Sequence, residues 1–76
     1  MKVIVYTLKT CPWCIKVKEF LNLNKIEFEE RDISKNEEYA KELTEKSNQR
    51  SVPVIDIDGK IIIGSDEDKL KEALKI

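Results

Sequence analysis

The stretch Val3-Ile4-Val5-Tyr6-Thr7-Leu8-Lys9-Thr10-Cys11-Pro12-Trp13-Cys14 changes its period partway along, and the architecture hangs on that change. Lys2–Thr7 is β-branched, apolar on both faces and short, which predicts a buried strand. Beyond Cys11-Pro12 the residues Cys14, Val17, Phe20 and Leu21 recur at helical spacing. Ile15 falls on the flank, and Lys16, Lys18, Glu19 and Asn22 stay outside. Pro12 suits the first helical position, where its missing N–H costs nothing. Asn24 is the expected stop.

Outward from this junction, Ile26–Ile33 alternates apolar with charged residues and predicts a second strand. Ser34-Lys35-Asn36-Glu37 fits a capping box that opens a helix with Tyr39, Ala40 and Leu43 on its inner face. Lys46–Arg50 reads as a polar loop. Val54–Ile57 and Lys60–Ile63 are apolar runs joined by Asp58-Gly59, a hairpin signal because both turn residues must tolerate positive φ. Ser65-Asp66-Glu67-Asp68 caps a last helix whose core face is Leu70, Ala73 and Leu74, with Lys69, Lys71 and Lys75 loading its later turns. The order β-α-β-α-β-β-α predicts an α/β fold, a four-stranded mixed sheet flanked by helices.

Seventy-six residues allow one domain, here residues 1–76. Hydrophobic residues make up 41%, enough for one core, and charged residues 38%. The 14 basic and 15 acidic side chains are mixed along the chain, which gives no reason to expect nucleic acid or an anionic membrane as partner. No run approaches the ~18 apolar residues of a membrane span, and no signal peptide is visible before Val3, so a cytoplasmic location is expected. In that compartment a structural disulfide is unusual, and two cysteines three apart point to catalysis or metal.

Disulfide exchange needs one thiolate to attack and a second thiol to resolve the mixed disulfide. Cys11 falls in the N-cap region, where unpaired N–H groups and the helix dipole favour a negative sulfur. Cys14 lies about one turn on, close enough for a disulfide with Cα atoms ~5.5 Å apart. Cys11 is therefore expected exposed, as nucleophile, and Cys14 half covered, as resolving thiol, with Lys9 adding a positive charge. Were both cysteines mere helix filling, Pro12-Trp13 would still leave Cys11 exposed. Structural zinc takes four ligands, and with no His and one Cys pair a single chain cannot close such a site. An iron–sulfur cluster shared between two chains stays open as an alternative, although Pro12 limits how the loop can open around it.

Three motifs together resemble the glutaredoxins: Cys11-Pro12-Trp13-Cys14 after the first strand, Arg50-Ser51-Val52-Pro53 before the hairpin, and Gly64-Ser65-Asp66 opening the last helix. The resemblance spans nearly the whole chain and implies a thioredoxin fold and a disulfide oxidoreductase, an electron carrier with glutathione as co-substrate and no bound cofactor. It further implies a monomer that acts on disulfide-containing proteins. By resemblance Pro53 is a cis-proline against the Cys pair, and Val52 offers its backbone to an extended thiol substrate. Gly64, Ser65 and Asp66 would hold the γ-glutamyl end of glutathione, which has a physical basis at a helix N-terminus; Ser65 and Asp66 are also ordinary caps. Arg50 either pairs with the glycyl carboxylate or is a solvated charge. Trp13 either stacks over the bound thiol or covers Cys11.

Two departures from the family pattern stand out. Leu8 occupies the place of the Lys usually found three residues before the nucleophile, with Lys9 shifted by one, and the paired glycines before the last helix are reduced to Ile63-Gly64. Both point toward related redoxins that take electrons from thioredoxin reductase and serve ribonucleotide reductase.

Overall fold

The computed structural model describes residues 2–9, 11–49, 51–64 and 66–76. The elements are β1 (Val3–Thr7), α1 (Pro12–Leu23), β2 (Glu29–Asp32), α2 (Glu37–Ser47), β3 (Val54–Ile57), β4 (Lys60–Ile63) and α3 (Glu67–Leu74). They form one sheet in the order β2-β1-β3-β4. β2 runs parallel to β1, β3 is antiparallel to β1, and β4 is antiparallel to β3. The expected element order and mixed sheet are present.

Alternation along β1 and β3 divides the core in two. Val3, Val5, Ile55 and Ile57 meet Val17, Phe20 and Leu21 of α1 and Leu70 and Leu74 of α3. Ile4, Tyr6 and Val54 face the other way, onto Leu43 of α2. The hairpin closes as its sequence demands, with Asp58 at φ 50 and Gly59 at φ 94. Asn24 ends α1, its N–H and side-chain amide both donating to the Phe20 carbonyl.

Three expected boundaries shift. The second strand is Glu29–Asp32 rather than Ile26–Ile33, because its parallel ladder on β1 reaches only from Ile4 to Thr7. Ile26 and Phe28 pack on the α1–α3 cluster from the segment before it, and Ile33 packs on the other cluster after it. The cap of α2 is Asn36, whose side chain accepts from Glu38 N–H at 2.9 Å. Ser34 is diverted, since its N–H and hydroxyl both donate to Asp32 Oδ1 at 2.8 and 2.6 Å. Finally, α2 runs on through Lys46 and Ser47, which a polar loop was expected to hold.

Lys46 runs helically because it has work under the sheet. Its Nζ donates to Asp56 Oδ2 at 2.6 Å and to the Tyr6 hydroxyl at 2.9 Å, and that hydroxyl donates to Glu42 Oε1 at 2.9 Å. Arg31 also pairs with Glu42 and lies over the Tyr6 and Tyr39 rings. Asp56 is 8% exposed, and Gly59 N–H donates to its other oxygen at 2.8 Å. Burial pushes the Asp56 carboxyl up, but the Lys46 and Gly59 hydrogen bonds outweigh it and hold the group below its ordinary 3.8. A depressed carboxylate contributes stability above its unfolded value and loses it as pH falls through the folded value. Lys46→Met should therefore cost about 1–3 kcal/mol in urea unfolding at neutral pH, toward the low end because Lys46 is a third exposed. The gap from wild type should narrow as pH falls to 3.8 and below; a gap that is independent of pH would show that the lost charge pair is not its source.

Candidate active site

The β1 ladder ends at Thr7, and the chain turns so that Cys11 N–H donates to the Leu8 carbonyl at 3.1 Å. That turn delivers Cys11 as the N-cap of α1, extended at φ −92 and ψ 110, with Pro12 at the first helical positions. A cap side chain accepts from an early helical N–H, and here the acceptor is sulfur. Cys14 N–H donates to Cys11 Sγ at 3.3 Å. No acidic residue lies in the first turn of α1, so the sulfur has the helix N-terminus without a competing carboxylate.

The two thiols are free and unlike. Cys11 is half-buried at the surface, whereas Cys14 is 1% exposed on the inner stripe that also carries Val17 and Leu21. Burial pushes the Cys14 thiol up to about 12, and the hydrogen bond with Cys11 adds to this. A Leu8 backbone hydrogen bond and the Lys18 ammonium act in the opposite direction. Cys11 Sγ also lies 3.9 Å from the Val52 carbonyl, to which its S–H donates.

Val52 begins the second wall. The Val52–Pro53 peptide is cis and Pro53 is buried. Gly64 N–H donates to the Pro53 carbonyl at 2.9 Å, which ties the end of β4 to this wall. Gly64 has φ 88, a conformation that L side chains rarely adopt, although the space around it is open. Asp66 caps α3, its Oδ1 accepting from Asp68 and Lys69 N–H at 3.0 and 3.3 Å.

The structure thus joins Cys11, Cys14, Val52, Pro53 and Gly64 by direct bonds or chain neighbourhood. Lys9 is exposed, and its charge acts on the Asp32 carboxylate. Trp13 is 54% exposed, with Lys16 Nζ 4.6 Å from its ring centroid. It lines a groove of about 160 Å³ between α1 and α3, together with Lys16, Phe20 and Glu67. Arg50 and Ser65 lie outside the described residues. Two wider hollows, of about 520 and 580 Å³, lie on α2 and around Asn22–Phe28, and neither is lined by a cysteine. Among the described residues no helix is long and apolar enough to cross a membrane, and no three His, Cys, Asp or Glu gather as metal ligands.

One set of contacts between α1 and the sheet is not legible in the sequence. Lys18 Nζ donates to Glu30 Oε2 at 2.9 Å, and the same oxygen accepts from Thr7 Oγ1 at 2.9 Å. Lys18 reads as one more outward charge in the helical pattern; only its position four residues after Cys14 signals more.

A family model for glutaredoxin matches residues 3–62. The chain belongs to the glutaredoxin family. It is 35% identical over 71 residues to a glutaredoxin-like 8.6 kDa protein of the rubredoxin operon of Clostridium pasteurianum, spanning 93% of this chain and 95% of that one. A glutaredoxin of Archaeoglobus fulgidus matches with TM-score 0.89 and 35% identity, over 99% of this chain and 87% of its own. A thioredoxin-like protein matches with TM-score 0.89 and 36% identity, over 95% and 99%. The architecture is the thioredoxin fold, and the chain is a redox protein of the glutaredoxin type.

The contrast between the thiols has a direct readout. Iodoacetamide at neutral pH should label Cys11 and spare Cys14, because only a thiolate in reach of the reagent reacts. Peptide mapping after limited labelling checks this; equal labelling of both cysteines in the folded protein would contradict the buried, protonated Cys14.

Proposed function

We propose that residues 1–76 act as one monomeric cytoplasmic unit that reduces protein disulfides and glutathione mixed disulfides, with Cys11 as nucleophile and Cys14 as resolving thiol. The observation that carries this reading is the cap: the accessible sulfur accepts Cys14 N–H, while the second thiol waits protonated one turn deeper. Cys11 thiolate attacks one sulfur of the substrate disulfide, and the other sulfur leaves as a thiolate. Cys14 then attacks Cys11 Sγ, the substrate thiolate leaves, and a Cys11–Cys14 disulfide remains. Two glutathione molecules reset it, leaving as their own disulfide. Val52, with its backbone beside Cys11 Sγ, supplies an edge on which an extended substrate can pair.

Glutathione recognition would rest on Val52, Pro53, Gly64 and Asp66, with Lys9, Trp13, Arg50 and Ser65 around them. A second reading, in which thioredoxin reductase supplies the electrons, draws on two observations. Leu8 replaces a cation, and Asp66 Oδ1 is already occupied by its own helix.

Cys11→Ser should abolish all exchange. Cys14→Ser should stop protein-disulfide reduction yet keep removal of glutathione from a mixed disulfide, which needs one thiol. Equal loss in both variants on the glutathione mixed disulfide would overturn the role assignment.

The donor is tested at Leu8 and Asp66. An exposed charge contact is worth about 1 kcal/mol or less, so each change should move the Michaelis constant for glutathione by no more than about fivefold. Leu8→Lys should lower it, and Asp66→Asn, which keeps the cap and removes the charge, should raise it. Both effects should shrink in high salt. If neither variant matters and thioredoxin reductase turns the protein over quickly, the second reading replaces the first.

A further inference from the structure

Cys14 is the group whose reaction the protein most needs to help, because its burial opposes the thiolate that must form. The sequence holds no His to take its proton. Lys18 lies four residues on, one turn along the same side of α1. Its ammonium is not free to wander, since Glu30 Oε2 holds Nζ at 2.9 Å. Glu30 is itself fixed by Thr7 Oγ1 at 2.9 Å, and Thr7 is 1% exposed at the end of β1 from which the active-site turn departs. The anchor therefore runs from the end of β1, through Glu30 of β2, to Lys18 on α1, one helical turn beyond Cys14.

We propose that Lys18, fixed by Glu30 and Thr7, is a positioning residue for the resolving step, its ammonium favouring the Cys14 thiolate that attacks the mixed disulfide. This rests on the reading that Cys14 resolves. The titratable groups acting on Cys14 are Cys11, ahead of the helix, and Lys18 on it. From β2, Glu30 faces Lys18, and Asp32 acts on Glu30 in turn. Glu30 is not the proton acceptor: its Lys18 hydrogen bond, against a smaller cost of burial, holds it below the usual carboxylate range. The Cys14 proton goes to solvent before attack. The Cys14–Cys11 bond then forms as the Cys11–substrate bond breaks, and the electron pair leaves on the substrate sulfur, which takes a proton from solvent. Lys18 stays protonated throughout.

The reduced protein mixed with Ellman's disulfide separates the steps by stopped flow. Attack by Cys11 releases the first thionitrobenzoate, and resolution by Cys14 releases the second. Lys18→Met keeps the apolar stem and should slow the second phase on the order of three- to tenfold at neutral pH. It should displace that phase's pH profile to higher pH and leave the first phase unchanged, and Lys18→Arg should restore both. A second phase with unaltered rate and pH profile, equal slowing of both phases, or failure of Lys18→Arg to restore would overturn the role of Lys18. Release of the second equivalent at the wild-type rate by Cys14→Ser would overturn the resolving role of Cys14 itself, before Lys18 enters.

Discussion

β1 has no solvent face: Val3 through Thr7 are all buried, the most exposed of them only 6% accessible. A strand covered on both sides must sit inside the sheet with helices above and below, and the remaining elements follow from that requirement. β2 and β3 flank it, α1 and α3 cover the side of Val3 and Val5, and α2 covers Ile4 and Tyr6. The crossover to a parallel β2 has to leave from the far end of β1. The first turn after this fully buried strand is thus where α1 starts, and Cys11 is the residue at that start.

The two faces of the sheet are chemically different. Beneath α2, Tyr6, Arg31, Glu42, Lys46 and Asp56 form a continuous ionic network, in which each charge meets an opposite one. Beneath α1 and α3 the core is aliphatic and aromatic, and on that side Glu30 accepts hydrogen bonds from both Thr7 and Lys18. Cys14 belongs to this drier side. Its burial is what makes the two thiols unlike, since desolvation acts on a buried sulfur and spares one at the surface. Fold stability and division of chemical labour therefore come from the same helix face.

Much of this was legible in the sequence because the deciding signals were local. The change of period at Cys11-Pro12, the Asp58-Gly59 turn and the stop at Asn24 each act within a few residues of where they stand. The second strand is shorter than its alternation predicts because its length is set by how far β1 can pair with it, which is not written in Ile26–Ile33. Ser34 reads as a cap in the sequence because its competition with Asp32 depends on how the chain leaves β2. Lys46 and Lys18 looked like surface charges because their partners, Asp56 and Glu30, lie on other elements, 10 and 12 residues away. Hydrogen bonds link Cys11 to Cys14 and Val52, and Gly64 to Pro53, while the Lys9 charge acts on Asp32 and Trp13 carries Lys16 over its ring.

The helix ends explain why the chemistry sits at α1 and not elsewhere. α2 opens with Asn36 as cap and Glu37 and Glu38 in its first turn; α3 opens with Asp66 as cap and Glu67 and Asp68 behind it. Their N-terminal N–H groups and dipoles are met by the chain's own oxygens, which is what stabilises exposed helices of 11 and 8 residues. An incoming carboxylate at α3 must share that end with three acids already present. At α1 the first turn holds no acid, Pro12 brings no N–H, and the acceptor of Cys14 N–H is Cys11 Sγ. Among the three helices of the described residues, α1 is thus the one whose N-terminus has no carboxylate answering it. Negative charge developing on a side chain there is stabilised rather than repelled, and the side chain in place is a thiol.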